Sequence, residues 1–504
     1  GWTALQTINL GINNFTLYNS SAVGPAVTSC DMRQNSFLAC IPPSPCLATS
    51  SSAPLALCPF ICSWFFTSAN DVTNDFATAA AGCNNLTISL SGQFTSFVVN
   101  YTGYGNSISL VGSSAMIGSN VSISLYNVSS FKISGVQFSN IYSNSPIITA
   151  TGVTSIILSQ TNFTSISATN ILSISNGLSL SLTNCIFSNN IASTAAISTS
   201  GTSLSTLSIT SSTFSGNSAA SGVIMSQGGQ TSLLSSNNVY YNNTASSNGG
   251  AVNTDGGVLS FASDTFTNNK ANNNGGSIYG SGMTIITMTL CKIVGSQAMR
   301  GGGIYSTGQL LVSQSNVSSC AASTDGGFIW SSGNINIQGG SFSVNSASSR
   351  GGAFFVTSGI LRSNSASISL NQAAQGGAIY ADQSISTISA CTFVNNSAPS
   401  QGGSIYSTGA MTLYNCVVSS SESSTIISSG SVIQRGNRMY LYNNAGTIET
   451  LTGPSVLSNE YVSQSSSQPA IQLLQAAVII NNCTMASGGG ITTSADDNSS
   501  LLTS

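Results

Sequence analysis

A Gly-Gly pair, followed by a small residue, an aliphatic and often an aromatic, returns at a nearly fixed interval through the middle of the chain. It reads Gly249-Gly250-Ala251-Val252, Gly275-Gly276-Ser277-Ile278-Tyr279 and Gly301-Gly302-Gly303-Ile304-Tyr305. It continues as Gly326-Gly327-Phe328-Ile329-Trp330, Gly351-Gly352-Ala353-Phe354-Phe355, Gly376-Gly377-Ala378-Ile379-Tyr380 and Gly402-Gly403-Ser404-Ile405-Tyr406. The steps are 26, 26, 25, 25, 25 and 26 residues. A constant period of this size marks a solenoid of stacked repeats.

Two more landmarks keep the same beat. Nine or so residues before each pair stands an apolar position: Tyr240, Phe266, Ile293, Val317, Phe342, Ile368 and Phe393. It extends upstream to Phe138, Phe163, Phe187 and Phe214, where the glycine pair itself has faded. Three residues later an asparagine usually follows, at Asn190, Asn217, Asn243, Asn269, Asn345, Asn371 and Asn396. Short alternating runs between Gly and Asn corners predict three short strands per coil of about 25 residues. No amphipathic 3.6-residue pattern survives between the breakers, and the Leu-x-x-Leu-x-Leu frame of leucine-rich repeats is absent. The expected fold is all-β: a right-handed parallel β-helix over residues 86–491, roughly sixteen coils at ~4.8 Å per coil.

Stacking then lays like upon like. The aliphatics Ile197, Ile224, Val252, Ile278, Ile304, Ile329, Phe354, Ile379 and Ile405 make one interior row. The asparagines make a structural ladder whose amides bond one another at a bend. The glycine pairs allow backbone angles that a side chain forbids.

Composition sets the class. Charged residues are 4% of the chain, with nine Lys and Arg, twelve Asp and Glu, no His and a net charge of -3. That excludes a basic footprint for nucleic acid and a polybasic membrane patch. No apolar run is long enough for a helical membrane span, so no membrane insertion is expected. The 41% apolar content is periodic, which argues for a packed core rather than disorder. The chain opens at Gly1 without Met, which fits either a removed secretion signal or a fragment. Cys30, Cys40, Cys46, Cys58, Cys62 and Cys83 cluster among prolines within residues 1–85. They read as a small disulfide-stapled cap in an oxidising compartment, with zinc on Cys58 and Cys62 as the rival reading. Residues 492–504 read as a polar tail.

The pairing of Gly-Gly-Ala-Ile/Val with Phe-x-x-Asn resembles the repeats of the polymorphic outer-membrane proteins of chlamydiae. More widely it resembles the pectin-lyase-like β-helix superfold. The resemblance covers most of residues 138–406 and implies a surface-exposed adhesin passenger. Two departures stand out: no C-terminal outer-membrane barrel is evident, and the N-terminal cysteine cluster is this chain's own.

Several rows carry site readings. Arg300, Asp325 and Arg350 precede successive glycine pairs, so they read as an ion-pair ladder or, alternatively, a sugar-binding or catalytic cluster. Tyr279, Tyr305, Trp330, Phe355, Tyr380 and Tyr406 follow the interior row by one residue, so alternation turns them outward as an interaction strip. Such a strip would be covered by a partner subunit or stack on sugar rings; the alternative is a register flip that fills the interior with these rings. Cys391 and Cys416 share a repeat position on adjacent coils, which leaves a bridge or two stacked thiols open. Cys185, Cys291, Cys320 and Cys483 read as buried small hydrophobes. Sequons stand at Asn14, Asn19, Asn85, Asn100, Asn120, Asn127, Asn162, Asn242, Asn316, Asn395, Asn482 and Asn498, and several are expected to carry glycans.

Catalysis on polysaccharides needs paired carboxylates, or acidic calcium ligands beside a base. Asp255, Asp264, Asp325, Asp382, Glu422, Glu449 and Glu460 are scattered, and none meets a carboxylate at its own position on the next coil. The expectation is therefore no enzyme, no metal and no cofactor beyond covalent glycans. The expected role is a secreted extracellular glycoprotein of the cell surface, self-associating into a filament or coat. The alternatives are a carbohydrate-binding β-helix and a polysaccharide lyase or hydrolase.

Overall fold

In the computed structural model each repeat is one circuit of backbone, and the next repeat lies on it in parallel register. The structure describes most of residues 85–441, with gaps at 104–105, 202–205, 229–230 and 421–424. It also describes residues 7–9, 29–31, 46–47, 61–66, 449–451, 454–464, 471–473, 477–486, 491–493 and 500–503. Among the described residues every regular element is a strand.

The coil that starts at Ile304 shows the plan. Its first strand is Ile304–Ser306, its second Gln309–Ser313 and its third Asn316–Ser318. A fourth strand, Ala321–Asp325, was not expected. It belongs to a separate parallel ladder that runs from Ser167–Ala168 to Ser346–Ala347. Most of these fourth strands are two residues long, too short for any alternation to show in sequence. Their alanines pack on each other, as in the clusters Ala245, Ala271, Ala298 and Ala322, Ala347, Ala373.

Register is kept position for position. Ile278 pairs with Ile304, Ile304 with Ile329, and Ile329 with Phe354, all essentially buried. On the third strands Phe138, Phe163, Phe187, Phe214, Tyr240 and Phe266 stack inside the coil with centroids 4.6–5.2 Å apart. The rise of a parallel ladder is ~4.8 Å, close to the separation of offset-stacked rings, so an aromatic row is a natural filling for such an interior.

The two members of the glycine pair serve different ends. The first has φ between +59° and +68° at Gly249, Gly275, Gly301, Gly326, Gly351, Gly376 and Gly402. The second has ordinary φ, but a Cβ on Gly302 would lie 2.2 Å from the Gly327 carbonyl oxygen and 2.5 Å from that of Ala321. It is glycine because the fourth strand of the next coil leaves no room for a side chain.

The ladder also passes both expected boundaries. Ile61–Phe66 pairs with the strand Asn85–Thr102, so the stack begins inside the segment read as a cap. Ser500–Thr503 pairs with Ala477–Asn481, so the segment read as a polar tail adds a strand. The apolar pair Leu501-Leu502 within it is the reason. Ahead of the cap boundary Thr7–Asn9, Ser29–Asp31 and Cys46–Leu47 form a small parallel sheet of their own. Cys30 pairs with Cys46 in its backbone register, and Cys62 lies in the Ile61–Phe66 strand. The side chains of Cys30, Cys46 and Cys62, and the residues Cys40, Cys58 and Cys83, lie outside the described residues, as do Asn14, Asn19 and Asn498.

Candidate functional site

The outer face of the first strands carries the aromatic row. Each first strand buries the residues on either side of the ring, as Ile304 and Ser306 flank Tyr305, so the rings point outward. They are nonetheless partly covered. Tyr279, Tyr305, Trp330, Phe355, Tyr380 and Tyr406 form one stack, with centroids 4.3–6.0 Å apart and planes within 21°. The faces of the inner rings are therefore taken by the rings above and below, and solvent meets edges. That corrects the reading of the strip as a stacking platform for sugars, which needs open ring faces. Phe355 and Tyr380 are 3% and 8% exposed, and the Arg350 guanidinium carbon lies 4.6 Å and 5.4 Å from their ring centres.

Arg350 also closes a fork on Asp325, with Nε to Oδ1 at 2.9 Å and Nη2 to Oδ2 at 3.0 Å. The hydrogen bonds it donates to Asp325 hold the guanidinium further above its usual range. Both carboxylate oxygens are occupied, so the three-membered ion ladder is instead one ion pair. Among the described residues Arg300 has no ion-pair partner. The row resolves into pairs, because Asn274 Nδ2 also donates to Asn248 Oδ1 at 3.1 Å and Gln375 Nε2 to Gln401 Oε1 at 3.1 Å.

At the bend after the third strand the asparagines are buried and bonded along the axis. Asn190 Nδ2 donates to Asn217 Oδ1 at 2.9 Å, Asn217 to Asn243 at 2.9 Å, and Asn243 to Asn269 at 3.0 Å. The row resumes from Asn345 to Asn371 at 2.9 Å and from Asn371 to Asn396 at 3.0 Å. Between the two runs Ser296 and Cys320 take the position, and Cys320 N–H donates to Asn345 Oδ1 at 3.0 Å. The residue just before each ladder position adopts left-handed backbone, for example Asn189, Asn242, Asn268 and Asn395.

A second inner row, at the bend before the third strand, was not read from the sequence. It includes Thr161, Cys185, Ser212, Asn238, Asp264, Cys291, Ser315, Cys391, Cys416, Asn437 and Glu460, all buried. Its residue types vary, but its place is constant, two residues before the third-strand apolar position, and that offset was the available signal. Burial pushes the Cys320 thiol up to about 12 and the Cys291 thiol up to about 11, which fits inert filling rather than reactivity. Asp264 Oδ1 accepts from Asn238 N–H at 2.7 Å while Oδ2 is buried without a hydrogen bond. Burial raises its carboxyl to about 6.

Cys391 and Cys416 are free thiols, not a bridge. In-register stacking keeps their Cα–Cβ bonds parallel at the ~4.8 Å rise, whereas a disulfide needs Cβ atoms about 3.8 Å apart. The hydrogen bond between the two thiols favours the thiolate at Cys391 and raises Cys416. Of the sequons, Asn85, Asn100, Asn120, Asn127, Asn242, Asn316, Asn395 and Asn482 are exposed, and Asn162 is half-buried. Among the described residues no three of His, Cys, Asp and Glu meet as metal ligands would.

Against known families, residues 265–281 and 390–408 match the Chlamydia polymorphic membrane protein repeat. Each match spans one third strand, one Asn position and one glycine pair: Phe266 to Tyr279, and Phe393 to Tyr406. The chain carries repeats of the polymorphic membrane protein type. In this solenoid that repeat is one interior apolar rung, one rung of amide or thiol at a bend, and one glycine turn. No curated protein and no solved structure matches the chain.

Proposed function

We propose that this protein is a surface-exposed extracellular glycoprotein with a structural or adhesive role, which associates with copies of itself into a filament or coat. The repeat type supports surface exposure, since it is that of a membrane protein family whose resemblance implies adhesins. The observation that carries self-association is a patch of exposed aliphatics on the outer face of three consecutive second strands. Val258 and Ile285 pair in register and are 43% and 40% exposed, and Leu234, 47% exposed, lies one coil below and two residues further along, opposite Ser260. With so few charges nearby, such a face meets a like face without repulsion. A non-catalytic role is favoured by what the aspartates do: Asp325 holds Arg350, Asp382 accepts from Thr408, Asp255 accepts from Gly228 N–H, and Asp264 faces the interior.

The test is light scattering and electron microscopy of the full chain across a wide concentration range, before and after enzymatic removal of N-glycans. Multimers or aligned particles, with a mass loss on deglycosylation, are expected. A strictly monomeric protein at high concentration would defeat self-association; release of sugars from pectin or alginate would defeat the non-catalytic reading.

A further inference from the structure

A hollow of about 620 Å³ opens on the outer face of the second strands, on coils beyond the aliphatic patch and away from the aromatic row. Its walls include Gln314, Asn336, Gln338, Arg362, Asn364 and Thr387. Parallel register sets these as a grid. Asn336 pairs with Arg362 and Arg362 with Thr387, while two residues further along Gln338 pairs with Asn364 and Asn364 with Ser389. Rungs are therefore ~4.8 Å apart and the two columns about 6.6 Å apart.

The hollow exists because of one residue. At the bend after the second strand most coils carry a side chain on their left-handed residue, such as Asn184, Asn237, Gln314, Ser365 and Asn415. Gly339 stands there instead, with φ of +68°. A Cβ on Gly339 would meet nothing nearer than Gln314 Cγ at 3.8 Å, so packing does not demand the glycine. Its effect is a notch in the rim between Gln314 and Ser365.

Arg362 is exposed on the floor of this notch and has no ion-pair partner among the described residues. Asn364 Oδ1 accepts from Ser365 Oγ at 3.0 Å and from Ser389 Oγ at 3.3 Å, which leaves its NH2 as the free donor. We infer that this hollow binds an anionic sugar unit, carboxylated or sulfated, of an acidic polysaccharide. The guanidinium fork matches a planar carboxylate or a sulfate edge. The surrounding amides and hydroxyls both donate and accept, as ring hydroxyls require, whereas a peptide or lipid would need apolar walls. The hollow lies on later coils of the same outer face, and Arg362→Gln and Gly339→Gln leave Leu234, Val258 and Ile285 untouched, so this inference and self-association fail separately.

Calorimetric titration of the full chain with polygalacturonate, dextran sulfate, uncharged dextran and polyglutamate tests it. One or both acidic polysaccharides bind, identifying carboxylate or sulfate as the anion, while dextran and polyglutamate do not. Arg362→Gln weakens binding by about tenfold or more, the scale of one charge-assisted fork. Gly339→Gln, which copies Gln314 one coil below, weakens it comparably and lowers the melting temperature only slightly, through its left-handed φ. Failure of both acidic polysaccharides to bind, equal binding of dextran or polyglutamate, or survival of binding in both variants overturns the proposal.

Discussion

Single residues here answer to the coil above and the coil below more than to their sequence neighbours. Gly302→Ala drives a Cβ to within 2.2 Å of a backbone oxygen, so it is expected to cost several kcal/mol in chemical denaturation, on the order of 3. The same change at Gly339 meets only Gln314 Cγ at 3.8 Å and costs little beyond its φ. Asp264 gives a signed prediction. Its folded pKa of about 6 lies above the unfolded value near 3.9, so the folded state holds the proton more tightly between those values. Stability therefore falls as pH rises through that window, by up to about 3 kcal/mol. Asp264→Asn, which repeats the residue at Asn238 one coil below, should raise the melting temperature at pH 7, and the gain should vanish below about pH 4. The glycine pairs were legible from their period alone. The reason for the second glycine was not, because close approach between coils leaves no mark within one repeat. The aromatic row was legible as outward-facing, yet its rings spend their faces on one another, a consequence of the ~4.8 Å rise.

Among elements, the bends decide the cross-section. The asparagine bend was readable because one residue type fills most of it, with Asn371 central to the upper run. Asn371 Nδ2 bonds Phe342 O and Asn396 Oδ1, and its Oδ1 accepts from both the N–H and the Nδ2 of Asn345. Asn371→Ala leaves these groups buried and unmet, at a cost of about 3–5 kcal/mol. Hydrogen exchange should show the loss concentrated in the coils on either side, since a solenoid couples mainly to nearest neighbours. Asn371→Ser should cost less, because Ser296 already occupies this position in another coil. The opposite bend was not readable, since Thr161, Cys185, Asn238 and Asp264 share only size and burial. Cys185 and Cys291, which had no evident partners in sequence, are rungs of that row with Cys391 and Cys416.

For the whole molecule, low charge and parallel register together leave long outer faces of hydroxyl, amide and aliphatic rows. Placing lysines on one such face should separate copies without disturbing the core. Val258→Lys with Ile285→Lys is expected to shift the multimer towards monomer in light scattering while leaving the circular dichroism unchanged. The fold's extent exceeded what the repeat alone marked, because the strands at Ile61–Phe66 and Ser500–Thr503 join the ladder without any glycine pair. The most direct test of like stacked upon like is a set of distances along one column. Ser181, Thr287 and Thr387 lie in one outward column, four and then four coils apart. Nitroxide labels introduced there through non-canonical amino acids should give about 19 Å for Ser181 to Thr287 and about 38 Å for Ser181 to Thr387 by electron–electron resonance. Distances that fail to double, or that scatter broadly, would contradict a continuous parallel solenoid.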